Sequence, residues 1–376
     1  MRRTALGWEL YGRTHSAMVL GWVGLAQFLP VFFFSLWAGR LADRVDRKKV
    51  VLACLAVQVS AALGLAWVSF TQGPVWLDYL LLAVLGGAGA FQTPASQALL
   101  PRLLPRKSFA NAVTWLSSGF QVSAMLGHNL GGLVYFLAQG APLVYLLDAA
   151  ANAVFLGCIL ALPSVPSAAP EKKEGGWDSL MGGMNFVWRD RVLLGSLSLD
   201  LFAVLLGGAT ALLPIYASDI LRCGPVGLGA LQSATFAGAF LMALWIAHRP
   251  PMKKAGPAFL WAVAGFGAAI LVFSFSRSFL LSLLMLLLSG AFDAVSVVVR
   301  HTLVQLRTPD AMRGRVSAVN NVFIGSSNEL GEFESGAAAA WLGPVAAAGL
   351  GGAGVLVSVA VAAALFPKLR RLGALS

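Results

Sequence analysis

Gly39-Arg40-Leu41-Ala42-Asp43-Arg44-Val45-Asp46-Arg47-Lys48-Lys49 is a short basic stretch set between two long apolar runs. Its place and charge make it a tight turn joining two membrane helices. Asp43 follows Gly39 by one helical turn, and two acids sit among arginines and lysines. A loop that had only to be soluble would not need a small residue, an acid and cations in this order. The simpler alternative is a positively charged loop such as any multi-pass protein keeps on its cytoplasmic side. The rest of the chain supports a membrane setting. Of its 376 residues 58% are hydrophobic and 11% are charged, and its mean hydropathy is +0.78. Soluble domains run at about 45–50% apolar and about 25% charged. The formal net charge of +11 could suit nucleic acid, but the positions of the cations exclude that partner.

A membrane helix needs roughly 20 mostly apolar residues. That criterion predicts spans at 17–42, 50–71, 75–99, 110–138, 142–162, 192–217, 225–247, 256–275, 279–300, 316–342 and 344–366, with a stub at 4–13. Alternating sides from the basic turn places nearly all cations together. Arg40 to Lys49, Arg102, Arg106, Lys107, Lys172, Lys173, Arg189 and Arg191 share one side with Arg249, Lys253, Lys254, Arg300, Arg307, Arg313, Arg315, Lys368, Arg370 and Arg371. The other side keeps Arg13, Arg222 and Arg277, and Arg2 and Arg3 are unplaced. Such asymmetry orients the chain with the basic turn and the C-terminus in the cytoplasm. Cys54, Cys158 and Cys223 lack metal-type spacing, as do His15, His128, His248 and His301, so neither a metal nor another cofactor is expected.

Residues 163–191 form the one long hydrophilic link, opened by Pro163, Pro166 and Pro170; proline ends helices because it lacks a backbone donor. Its second part, from Trp177 to Arg191, reads as a short helix on the membrane surface. The link separates a bundle at 1–162 from a bundle at 192–376. The two are related: Pro105, Gly127 and Gly132 fall 204 residues before Pro309, Gly331 and Gly336, and Tyr11, Gly24 and Arg44 fall 205 before Tyr216, Gly229 and Arg249. Six helices per half put the halves in the same orientation, as parallel repeats about an axis along the membrane normal. By the same offset the counterpart of the span from Val192 would begin before Met1. The first helix is therefore expected to be mostly missing, through a start assigned too late or a real truncation.

The Gly39–Lys49 stretch resembles the loop signature of the major facilitator superfamily, with Gly39, Asp43, Arg44, Asp46, Arg47 and Lys48 in register. The resemblance implies an all-α integral membrane fold of two six-helix bundles, and a latch in which the acid pairs with a neighbouring helix and holds one conformational state. The basic but acid-free Ala247–Lys254 stands at the equivalent place in the second half. Two further patches, Leu25–Pro30 and Arg307–Val316, resemble the bacterial exporter branch that includes the enterobactin exporter and the transmembrane secretion effectors. Gly127-His128-Asn129-Leu130-Gly131-Gly132 is similar to the Gly-Pro-x-x-Gly-Gly element of facilitator antiporters, with His128 in place of the proline. Its glycines, with Gly331 and Gly336, would let helices approach closely where the halves meet.

Ionisable residues inside a membrane usually face a cavity or a partner. Asn328-Glu329-Leu330-Gly331-Glu332-Phe333-Glu334 is the densest group. Glu329 and Glu332 share a helix face, which suits a proton carrier; an acidic vestibule, or pairing with Arg300 or Arg315, is the structural alternative. Asp293 has Ser296 and Arg300 on its own face at i+3 and i+7. It is a substrate or proton site, or one end of a charge network with Arg300. Asp200 is a further candidate, and Asp148 reads as structural. His128 is either titrating or a hydrogen-bonded structural residue, and it aligns with Glu332 under the 204-residue offset. Gln92, Thr93, Ser96 and Gln97 offer polar contacts to a substrate, joined by Glu9 if the first helix is intact.

The expectation is a monomeric secondary transporter of the bacterial inner membrane. It would work by alternating access and export a siderophore or similar small amphiphile in exchange for protons. A multidrug exporter or a metabolite importer of the same fold is the alternative within transport; a transport-inactive remnant or a membrane sensor is the alternative outside it. No phosphate-binding loop is present to hydrolyse ATP.

Overall fold

The computed structural model describes residues 1–103, 106–162, 176–249, 252 and 254–373. Among them every regular element is helical. The first half runs α1 (Arg2–Thr14), α2 (Ala17–Arg44), α3 (Arg47–Thr71), α4 (Val75–Leu103), α5 (Arg106–Ala138) and α6 (Pro142–Ala161). Next comes the connecting helix α7 (Gly176–Arg189), where the linker was expected to form a surface helix. The second half runs α8 (Arg191–Leu206), the one-turn α9 (Leu213–Ile215), α10 (Gly224–Ala247), α11 (Ala255–Phe275), α12 (Phe279–Arg307), α13 (Asp310–Leu342) and α14 (Pro344–Leu365). Among the described residues nine segments are long and apolar enough to cross a bilayer. Helices α5 and α13, both expected as spans, are 33 residues long yet fall outside that set. In α13 the three glutamates lower the hydropathy.

The span expected as one helix at 192–217 is broken. Helix α8 stops at Leu206, and Gly207 and Gly208 lead into a 3-10 turn at Ala209–Leu212, then α9, then a π turn at Tyr216–Ile220. The break has a packing cause. A Cβ on Gly208 would lie 2.8 Å from the carbonyl oxygen of Gly331, so the bare backbone is what lets α13 pass. Pro214 then opens the next turn, where its missing N–H costs nothing.

Packing obeys the internal repeat. In the first half α2 packs on α4, α3 on α4 and α6, and α5 on α6; in the second, α10 packs on α12, α11 on α12 and α14, and α13 on α14. Across the halves α5 meets α10 and α2 meets α13, a set that maps onto itself when the halves exchange. The offset of 205 carries α1 onto 207–219, and α1 touches α2, α5, α6 and α10 as that broken stretch touches α10, α13, α14 and α2. This is a pseudo-twofold along the membrane normal.

At the basic end, Asp46 caps α3 by accepting from the Lys48 amide (2.9 Å), and Lys48 Nζ donates to the carbonyls of Leu160 (3.0 Å) and Leu162 (2.5 Å) at the end of α6. Asp46 and Lys48 thus tie helix ends together within the first half. The side chains of Gly39, Asp43 and Arg44, the core of the expected latch, lie outside the described residues. At the opposite end the halves press together. A Cβ on Gly336 would stand 2.5 Å from Gly21 Cα, and one on Gly132 would run into the Pro225 carbonyl. Tyr11 in the first half donates its hydroxyl proton to Asp219 in the second.

Candidate functional site

Helix α13 carries Glu329 and Glu332 past α2 at Gly24, where an added Cβ would lie 2.7 Å from the Glu329 carbonyl oxygen and 2.8 Å from Glu332 Cβ. That close approach turns both carboxylates toward α1. Arg3 Nη2 donates to Glu332 Oε1 at 2.5 Å and stands 3.8 Å from Glu329 Oε2. Glu332 is buried. Glu329 Oε2 is also buried and has no hydrogen-bond partner among the described residues. One guanidinium thus serves two carboxylates, and it does so from the other half of the molecule.

His128 lies beside this pair. Its Nδ1 is 3.0 Å from Thr4 Oγ1, which donates to Gln232 Oε1 at 2.6 Å, and its ring stacks on Phe236 with centroids 5.3 Å apart. With the Thr4 proton given to Gln232, the Thr4 oxygen accepts from Nδ1–H, leaving the lone pair of a neutral His128 ring on Nε2.

These side chains line three cavities, two of which share walls. Arg3, His128, Thr210, Gln232, Asn328 and Glu332 surround a cavity of about 200 Å³. A second cavity, about 280 Å³, shares Thr210, Thr235, Phe236, Asn328 and Glu332 with it and extends to Gln121, Ser289 and Asp293. A third, about 570 Å³, lies between α2, α4 and α13 toward the basic end, with Gln27, Thr93, Gln97, Asn321 and Glu329 on its wall. Glu332 therefore faces the central space and Glu329 the space on the basic side. Together they offer a chain of acids, amides and hydroxyls flanked by Phe28, Phe32, Phe236 and Phe266.

The ion-pair partner of Arg300 lies on another helix. Among the described residues Arg300 forms its ion pair not with Asp293 or the α13 glutamates but with the buried Asp200 of α8, and Ser296 lies 3.5 Å from the other oxygen of that carboxylate; Asp293 remains within the field of both charges. Residues seven apart on a helix are about 10 Å apart along the axis, whereas Asp200 faces Arg300 from the neighbouring helix. Among the described residues Asp293 forms no ion pair, and it points into the second cavity. Gln92 accepts from Gln58 at 2.5 Å, while Thr93 and Gln97 reach the third cavity. Asp148 pairs with Arg2 at 2.8 Å. Glu9 accepts from Ser69 (2.6 Å) and Tyr145 (2.9 Å), with Arg13 at 3.9 Å and Asp78 on the far side of that arginine. That buried network fixes α1 within the first half.

Of the glycines expected where the halves meet, Gly132 and Gly336 contact the other half, whereas Gly127, Gly131 and Gly331 contact their own. Gly127 and Gly131 take the backbone of Met1, Gly132 that of Pro225, Gly331 the end of α8, and Gly336 that of Gly21. Sequence reasoning missed Arg3, Thr210 and Gln232. Arg3 carries no local signal, because its partners are more than 300 residues away.

A family model described as Major Facilitator Superfamily matches residues 4–331. The chain belongs to this superfamily: it is a multi-pass membrane transporter of small molecules and not an enzyme. Among its relatives, the enterobactin exporter EntS of Shigella boydii serotype 4 is 27% identical over 361 residues, covering 95% of this chain and 86% of that protein. EntS of Escherichia coli O81 has the same identity and coverage. Among solved structures, the peptide transporter POT superposes with a TM-score of 0.77 at 13% identity, covering 99% of this chain and 92% of the other. The inward-open xylose transporter XylE of E. coli reaches 0.71 at 14% identity, covering 96% and 92%.

Proposed function

We propose that the protein is a proton-coupled exporter of the bacterial inner membrane, acting as a monomer on a siderophore or a similar small amphiphile. The observation that carries this reading is the Arg3–Glu332–Glu329 cluster, which joins the two halves and whose members line three cavities. The likeness to EntS along 95% of the chain supports the exporter branch and the class of cargo. Alternating access would rock residues 1–162 against 192–366. The third cavity lies toward the basic end, while at the opposite end Gly132 and Gly336 bring the halves into backbone contact, an arrangement that favours an inward-open state with the basic turn and C-terminus in the cytoplasm. Cargo would enter from that side into the polar, phenylalanine-flanked space. A proton from the outer side would displace Arg3 from Glu332 and so loosen one tie between the halves. Asp43 would latch one of the two states from the loop. Asp293 and His128, both facing the central space, would contact cargo.

Secretion tests the reading. In a host deprived of its own enterobactin exporter, the chain should restore enterobactin to the medium, measured by mass spectrometry, and a proton ionophore should abolish that export. Restored export that survives the ionophore would remove proton coupling. No export of enterobactin or of related catechol compounds, with the protein present in the membrane, would remove the siderophore class.

A further inference from the structure

Lys368 of the C-terminal segment reaches a fourth cavity, which shares no lining residue with the three described above. It has a volume of about 450 Å³ and is lined by Arg189 and Asp190 at the end of α7, Arg191 at the start of α8, Arg307 at the end of α12, and Lys368, with Phe186 at its back. Four cations meet one carboxylate, and that carboxylate is already committed. Asp190 Oδ1 accepts from the amides of Val192 (2.8 Å) and Leu193 (3.2 Å), capping α8, and its Oδ2 accepts from Arg307 Nε at 2.9 Å. Among the described residues Arg189, Arg191 and Lys368 form no ion pair. Like charges brought together by three separate parts of a chain repel one another unless an anion joins them. The pocket sits where α8 begins and where α12 and α14 end, on the basic side of the molecule. Trp188, next to Arg189 in the chain, is 63% exposed, as suits an aromatic anchor at a membrane–water boundary.

We propose that this pocket binds a phosphoryl anion, supplied by the headgroup of an anionic phospholipid in the leaflet at the basic end. The lipid is favoured over free phosphate by the place of the site at the ends of spanning helices, by the exposed Trp188 next to Arg189 in the chain and by Phe186 in its wall. Juxtamembrane cations near an anionic leaflet are each worth a several-fold gain in affinity, so removing two should weaken binding about tenfold.

The test uses the full-length protein in detergent and native mass spectrometry. Cardiolipin, phosphatidylglycerol and phosphatidylcholine are added singly, and inorganic phosphate is added in a separate arm. The double variant Arg191→Gln/Lys368→Gln should lose about tenfold in retention of the anionic lipids and nothing in retention of phosphatidylcholine. The charge-conserving Arg191→Lys/Lys368→Arg should retain them, which separates loss of the site from loss of the fold. Equal retention of anionic lipid by the wild type and the glutamine variant overturns the proposal. So does wild-type binding of inorganic phosphate that matches the lipid and falls with it in the glutamine variant, because the site then takes soluble phosphate.

Discussion

Two arginine–acid pairs in this molecule look alike on paper and differ in what surrounds them. Arg300 and Asp200 lie inside the second half, with side chains 4% and 5% exposed. Arg3 and Glu332 join the two halves; Arg3 is 50% exposed while Glu332 is 11% exposed. The first pair has no access to water and no relative motion to follow, so it can only be part of the framework. The second faces cavities and spans the interface that would open in the proposed alternating access, so it is placed to be made and broken. Asp190 and Arg307, 37% exposed on the arginine side, form a third pair, held within one half at the water boundary.

Removing one partner from the sealed pair should give the largest stability loss. Asp200→Ala leaves Arg300 charged and unpaired in the interior, which costs about 3–5 kcal/mol. Thermal unfolding in detergent, or the yield of folded protein, would measure it. The double replacement Asp200→Leu/Arg300→Met should recover much of that loss; if it does not, the pair has a role beyond charge balance.

The moving interface can be probed without touching a charge. A Cβ on Gly336 would meet Gly21 at 2.5 Å, so Gly336→Val should wedge the end of the molecule opposite the basic turn. Overpacking of this kind costs about 1–3 kcal/mol. Here the strain is relieved by opening that end, so reactivity of an engineered cysteine near Gly21 toward an outside reagent should rise. Unchanged reactivity together with normal export would mean that the glycine contact is dispensable.

The pair at the boundary should give a smaller and pH-dependent effect. Burial alone would raise the Asp190 carboxyl, but the Arg307 hydrogen bond and the two capping amides outweigh it and hold it below the usual carboxylate range. A lowered pKa means stabilisation that is present above the unfolded-state value of about 4 and is lost as pH falls through the folded one. Asp190→Ala should therefore cost about 1 kcal/mol at neutral pH, and the difference from wild type should shrink in strong acid. A difference that stays constant with pH would mean that the aspartate charge contributes nothing.

Arg3→Gln should change stability least, by less than about 1 kcal/mol, because solvent in the cavity screens its pair. Its effect should fall on transport instead. If Arg3→Gln unfolds the protein while transport in the surviving fraction is normal, the contrast between the two pairs fails.

The spans were legible because apolar runs of helical length have few alternatives, and the cations sorted them into sides. The repeat was legible because glycines at close backbone contacts keep their spacing in both halves. Glu329 and Glu332 were legible as acids within a span. Their partner was not: nothing near Arg3 in the chain points to α13, and only the packing of α1 between the halves brings them together. Arg300 misled for the same reason, since its own helix offered Asp293 and the fold supplied Asp200. The break at Gly207–Gly208 also escaped, because its cause is the backbone of Gly331 on another helix.

The central claim is that Glu332 carries the coupling proton at an interface that opens and closes. Purified wild type and Glu332→Gln, reconstituted in liposomes loaded with enterobactin and a pH-sensitive dye, test it directly when an inward proton gradient is imposed. The account predicts that the wild type moves cargo and protons in opposite directions, and that the variant, folded and inserted to the same level, moves cargo without responding to the gradient. Proton-driven transport by Glu332→Gln at the wild-type rate would contradict it.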